Sequence, residues 1–323
     1  IPDEPETDLP WPEPSAWLEA LQQSALVRDR SSPLTTPLVL DRDRLYLDRY
    51  WRYQQRLAEQ LAARASEFTA LMDESRLRAG LDRLFTSNSS HGLDRQRLAA
   101  LVASVRSLTL ITGGPGTGKT TTVAALLALL VDQHTASDTE RSLRIALAAP
   151  TGKAADRVAE SITEGLSRLP LLEAEKTALS DLKALTLHKL LGWQPGSPTR
   201  FRHNSENPLP HDVVVVDEAS MVDLPMMSKL VDAIRPEARL ILLGDPDQLA
   251  SVEAGAVLGD LCAGLELDRP RLSRDFAARL RDLGGVDPEP HCEIWDSPGI
   301  WDAIVQLNRT WRFGMDTSIG RLS

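Results

Sequence analysis

Cysteine is nearly missing from this 323-residue chain, with only Cys262 and Cys292 present. Two thiols exclude a disulfide framework and a four-cysteine structural zinc site, and they suit a reducing cytoplasm. No apolar run approaches the roughly 20 residues needed to cross a bilayer, so no membrane partner is expected. The N-terminus, Ile-Pro-Asp-Glu-Pro-Glu, has neither a basic region nor an apolar core, which excludes a signal peptide. It also has no initiating Met, and a trimmed or incomplete chain is expected from that. An excess of basic residues is missing too. The net charge of −10 excludes a grip on nucleic acid through the overall field, but it leaves room for a local basic groove.

The length suits roughly two domains, and the hydrophobic (42%) and charged (25%) fractions are those of an ordinary globular protein. The most informative stretch is Leu108 to Thr122. Leu108 to Ile111 reads as a buried strand, and Thr120 to Val131 as a helix. Between them, Gly113-Gly114-Pro115-Gly116-Thr117-Gly118-Lys119-Thr120 fits the phosphate-loop pattern in its required strand–loop–helix setting. Glycines let backbone N–H groups turn toward an anion, and the positive end of the following helix favours the same anion. The pattern implies a nucleotide held by Gly113 to Thr121. Lys119 reaches its β- and γ-phosphates, and the Thr120 hydroxyl holds magnesium.

Upstream, a weak amphipathic helix is expected around Ser15 to Val27. Two short strands follow about a turn at Asp41 to Asp43. Tyr50 to Ala65 has helical spacing, and its Arg52, Arg56 and Arg64 are read as a solvated basic face rather than a DNA contact. A further helix is expected over Ser75 to Phe85. The polar stretch 86–92 reads as a linker, giving a mainly helical N-terminal domain, 1–92, and a second domain, 93–323. From Leu93 strands and helices alternate, the signature of an α/β fold with a parallel central sheet. Helices are expected over Asp94 to Val105, from Lys153 to about Arg168, and over Ser273 to Leu283. Strands are expected at Leu143 to Ala148, Val213 to Val216 and Leu240 to Leu243.

Asp217-Glu218 closes the valine strand, where open α/β sheets bind ligands. A carboxylate there can hold the magnesium bridging the β- and γ-phosphates. That role falls to Asp217, and Glu218 orients or deprotonates the attacking water. Gln248 follows the next strand, where an amide can bond the γ-phosphate or the water. Gly244 and Pro246 around it also make ordinary turn chemistry.

Taken in order, Gly113–Thr120, Ala149-Pro-Thr-Gly-Lys153, Thr186-Leu-His188, Asp217-Glu-Ala-Ser220, Gly244-Asp-Pro-Asp-Gln248 and Trp311-Arg-Phe313 resemble motifs I, Ia, Ib, II, III and IV of superfamily 1 DNA helicases. Within that superfamily they resemble the RecD-type family. The resemblance implies a RecA-like P-loop NTPase fold and an enzyme that uses ATP and magnesium to move 5′→3′ on single-stranded DNA. It assigns Gln96 to the adenine edge, Thr151, Lys153, Thr186 and His188 to single-stranded DNA, and Arg312 to the γ-phosphate as an arginine finger. It implies beta and gamma subunits of an exodeoxyribonuclease V heterotrimer as partners, in double-strand break repair and recombination. Motifs V and VI do not appear before Ser323. The chain therefore resembles a fragment carrying one motor lobe, expected not to unwind duplex DNA alone. A P-loop kinase and a non-enzymatic ATP-gated scaffold are the rival classes. Pro150-Thr-Gly-Lys153 counts against the first; intact Lys119, Asp217, Glu218 and Gln248 count against the second for the whole protein, while for this fragment it stays open.

Overall fold

The computed structural model describes residues 12–68, 73–85, 93–136, 141–196, 200–248, 255, 257–266, 269–285 and 287–308. Internal contacts divide the chain into two compact units, Ile1–Arg56 and Leu57–Ser323. This division lies upstream of the position 92 expected from composition. The expected linker, 86–92, lies outside the described residues.

The first unit holds α1 (Pro14–Gln22), β1 (Val27–Asp29), β2 (Leu38–Asp41) and β3 (Arg44–Leu47), then the start of α2 (Asp48–Ser66). β2 and β3 form the expected antiparallel hairpin, with Asp41 opposite Arg44 and Arg42 at φ 57° in the turn. β1, which the sequence reading missed, pairs parallel to β2.

The second unit continues with α3 (Glu74–Leu84), α4 (Arg95–Val105), β4 (Leu108–Thr112), α5 (Lys119–Ala136), β5 (Ile145–Ala149) and α6 (Gly152–Ser167). Next come α7 (Glu173–Leu179), β6 (Ala184–Thr186), α8 (Leu187–Leu191), β7 (Val213–Val216), α9 (Leu224–Ala233) and β8 (Arg239–Gly244). The described part ends with α10 (Val257–Cys262), β9 (Arg271–Ser273), α11 (Arg274–Gly284), β10 (Glu293–Trp295) and β11 (Ile304–Gln306).

Six strands form one sheet in the order β11-β4-β8-β7-β5-β6, and every pairing in it is parallel. Strands covered on both faces need apolar residues at every position, which is why β7 is four consecutive valines. Val213 and Val215 join the core on one face with α4 and α5, while Val214 and Val216 join the other with α8 and α9. In α5, residues Thr122 to Asp132 are buried without interruption, as a helix enclosed on all sides must be. Helix starts are capped as local chemistry dictates. Asp73, Asp94, Thr151, Thr186 and Asp223 each accept a backbone N–H from the first turn.

One reading of the sequence is corrected. Arg64 is not on a solvated face; it is 5% exposed. Its guanidinium donates to the carbonyls of Ile234 at 2.6 Å, Arg235 at 3.0 Å and Ala238 at 3.0 Å. It thereby satisfies the carbonyl of Ile234, which caps the end of α9, and two carbonyls of the segment that leads into β8.

Candidate active site

A parallel sheet brings all its carboxyl ends to one edge, so β4, β5, β6, β7 and β8 deliver their following segments together. β4 runs directly into the phosphate loop. Gly113, Gly116 and Gly118 take φ of 150°, 81° and 86°, a region costly for other residues. Gly113 is closed sterically as well. A Cβ there would lie 2.5 Å from the Leu307 carbonyl oxygen and 2.8 Å from Thr117 Oγ1. Gly114 is the opposite case, because a Cβ there would meet nothing within 4 Å. The loop is braced by the Thr117 hydroxyl donating to the Gly114 carbonyl at 2.9 Å and by the Gly113 N–H donating to the Gly244 carbonyl at 3.2 Å. Pro115 and Thr121 are exposed, Thr120 is half-buried and Thr117 is buried.

Lys119 opens α5. Its Nζ donates to the carbonyl of Gly113, and to that of Gly114 at 3.1 Å. Burial pulls its pKa below the usual lysine range, while the charges of Asp245, Asp217 and Glu218, in that order, push it back up. Asp217 leaves the end of β7, and the Glu218 N–H donates to its Oδ1 at 2.9 Å. Burial raises the Asp217 pKa above the usual carboxylate range. The Glu218 N–H opposes that rise, the Glu218 charge adds to it, and Lys119 opposes it. Glu218 sits at φ 52°, ψ 40°, a left-handed conformation that costs a residue with a side chain about 1–3 kcal/mol and is concentrated at functional sites.

β8 separates β4 from β7, so Lys119 and the carboxylates approach from strands about 10 Å apart, two inter-strand spacings. Gln248 is exposed, and its N–H closes a turn on the Asp245 carbonyl at 3.2 Å. Gln96 lies in the first turn of α4, half-buried, with Nε2 donating to the Thr117 carbonyl at 3.4 Å. It thus stands beside the phosphate loop.

The residues assigned to single-stranded DNA follow β5 and β6. Thr151 caps α6 by accepting the Ala154 N–H at 3.2 Å, and Thr186 caps α8 by accepting the Lys189 N–H at 3.3 Å. Lys153 and His188 are exposed, and the His188 ring lies 5.7 Å from that of Phe201. Both threonines therefore have structural work whatever else they touch. Arg312 lies outside the described residues.

Sequence reasoning missed Asp245. It is 7% exposed and it is the acid with the largest charge effect on Lys119. A signal was available, since an aspartate directly follows a buried strand at Asp245 just as at Asp217. Among the described residues, no group of three or more His, Cys, Asp or Glu is arranged to hold a metal.

A glycine loop, its lysine and converging carboxylates on the carboxyl edge of a parallel, helix-flanked sheet define a RecA-like P-loop NTPase fold. The family described as "AAA domain" matches residues 96–254, and "RecBCD enzyme subunit RecD, N-terminal domain" matches residues 2–46. The RecBCD enzyme subunit RecD of Mycolicibacterium smegmatis is 52% identical over 260 residues, covering 80% of this chain and 44% of that protein. RecD of Haemophilus influenzae is 39% identical over 293 residues, covering 89% of this chain and 43% of its own length. The chain belongs to the RecD-type family of superfamily 1 helicases, and it spans less than half the length of these relatives. In a solved structure of Bacteroides Pif1 bound to single-stranded DNA, the overlap is 68% of this chain and 42% of that one, at 19% identity and a TM-score of 0.33.

Proposed function

We propose that this chain is the ATP-holding lobe of a DNA helicase subunit that moves 5′→3′ along single-stranded DNA. The observation that carries the reading is the convergence of Lys119, Asp217 and Glu218 beside a loop that is open at Gly114. Backbone N–H groups between Gly113 and Thr120, with the N-terminal end of α5, bind the phosphate chain. Lys119 leaves the loop carbonyls to meet the β- and γ-phosphates. Glu218 aligns or deprotonates the attacking water, Gln248 bonds the γ-phosphate or that water, and Gln96 reads the adenine edge. Arg312 supplies positive charge to the γ-phosphate.

Asp217 has no cation within ion-pair distance among the described residues, and its Oδ1 accepts only the Glu218 N–H. That leaves the carboxylate able to ligate. Thr120 and Asp217 are thus suited to magnesium, which keeps its waters and takes phosphate oxygens rather than needing an all-protein cage. Bound there, it neutralises charge on the β- and γ-phosphates.

Thr151, Lys153, Thr186 and His188 contact the single strand, whose phosphates suit hydroxyls and cations. The relatives are named as subunits of RecBCD. By analogy this chain works in a heterotrimer with beta and gamma subunits of exodeoxyribonuclease V, in cytoplasmic double-strand break repair and recombination. Residues 1–92 dock a partner, and residues 93–323 form the motor lobe. Alone, residues 1–323 hold nucleotide without unwinding a duplex.

Steady-state ATPase with single-stranded DNA, measured on the complete protein, tests the assignment. Lys119→Ala should lower turnover by about 100-fold or more, the scale expected when a preorganised electrostatic contact is lost. Turnover near that of the wild type would refute it.

A further inference from the structure

Asp132, Glu175, Asp245 and Asp302 are the buried carboxylates among the described residues. Three of them have an arginine partner, Arg76 for Asp132 at 3.5 Å, Arg83 for Glu175 at 2.5 Å and Arg106 for Asp302 at 3.1 Å. Among the described residues, no cation lies within ion-pair distance of Asp245. An unpaired buried carboxylate is costly, so its place in the fold calls for a reason.

The strand register supplies one. Thr112 pairs with Gly244, and the ladder runs one residue further through the Gly113 N–H to the Gly244 carbonyl at 3.2 Å. Asp245 therefore leaves the sheet beside Gly113, whose carbonyl accepts from Lys119 Nζ. On its other side Asp245 builds the turn that carries Gln248. Its Oδ1 accepts the Asp247 N–H at 3.1 Å, and its carbonyl accepts the Gln248 N–H.

We infer that Asp245 is a positioning residue that holds Lys119 in the phosphate-free loop and thereby weakens the hold on nucleotide. This rests on the reading of Lys119 as a phosphate ligand. The exchange is between counter-charges. Without nucleotide, the ammonium lies on the Gly113 and Gly114 carbonyls, and Asp245 is the acid whose charge acts on it most strongly. With nucleotide, the ammonium turns to the phosphates, and Asp245 is left as an uncompensated negative charge facing an anion. Both effects favour the empty loop, so Asp245 promotes release of the spent nucleotide. Its hydrogen bond to the Asp247 N–H does a separate job, which an uncharged amide can also do.

The two jobs separate by substitution. Asp245→Asn keeps an acceptor for the Asp247 N–H and removes the charge, while Asp245→Ala removes both. Binding of a fluorescent ADP analogue with magnesium is titrated on the full 323-residue chain, with thermal unfolding of each nucleotide-free variant alongside. Asp245→Asn should bind the analogue about fivefold or more tightly than wild type, the direction set by removing a like charge from the site of an anion. In the complete protein, KM and kcat should fall together, because release slows. A damaged fold would instead raise KM and lower the unfolding temperature. Unchanged or weaker binding by Asp245→Asn, with wild-type binding intact, overturns the inference and leaves the nucleotide reading standing. Failure of the wild type to bind at all overturns both.

Discussion

Gly113→Ala offers the sharpest test of the loop, because the perturbation can be worked out atom by atom. The native φ of 150° costs a residue bearing a Cβ about 1–3 kcal/mol. The new methyl would also stand 2.5 Å from the Leu307 carbonyl oxygen, and backbone cannot step aside as a flexible side chain can. Leu307 is pinned, since its own N–H donates to the Thr112 carbonyl at 2.8 Å. Moving it forfeits roughly another 1 kcal/mol for that bond. The total is about 2–4 kcal/mol, which in a unit of this size lowers the unfolding temperature by roughly 5–10 °C. Gly114→Ala is the control. It has ordinary φ and open space around the added methyl, so it should be neutral or gain up to about 1 kcal/mol from reduced freedom of the unfolded chain. Thermal unfolding followed by circular dichroism without nucleotide compares the two. Equal melting of both variants, or a Gly113→Ala protein within about 1 °C of wild type, would refute the reasoning.

Two further outcomes are expected. Glu218→Gln should still bind ATP with magnesium yet turn it over very slowly, whereas Asp217→Asn should lose magnesium-dependent binding. A magnesium titration with a fluorescent ATP analogue separates them, and exchanged or identical phenotypes would reverse the assigned roles. Asp212 lies at the opposite edge of the sheet, with its side chain 13% exposed. Burial pushes its pKa up, but hydrogen bonds from Arg141, the Arg144 N–H and Arg235 outweigh that and hold it at about 2. A depressed carboxylate contributes stability that is present above its unfolded value and lost as the pH falls toward the folded one. Asp212→Asn should therefore cost about 1–2 kcal/mol at pH 7, after discounting for partial exposure. Its deficit should shrink between about pH 4 and pH 2. Urea unfolding at three pH values checks this, and a deficit independent of pH would contradict it.

The sequence by itself determined whatever is encoded within a few residues. The run Leu108 to Thr122 carries an apolar strand, glycines that permit positive φ and a helix whose start presents N–H groups, so loop and lysine are legible without a fold. Four valines buried on both faces, followed at once by Asp217-Glu218, are equally local. So are the helix starts at Asp94 and Thr151, where a short polar side chain caps the turn beside it. What tertiary structure alone decided involves partners distant in sequence. β6, β9 and β11 are three residues each, too short for any periodicity, and they are strands only because neighbouring strands complete their hydrogen bonds. Arg64 looks like one more solvated cation on an amphipathic helix. It is buried because carbonyls 170 to 174 residues later, at the C-cap of α9 and in the segment before β8, take its donors. Asp245 reads as a turn residue until β8 pairs with β4, and the same pairing sets its charge beside Lys119. Hydrogen-bonding demand and burial are properties of the assembled neighbourhood, and a side chain's role there follows from which chain ends the sheet brings to the same edge.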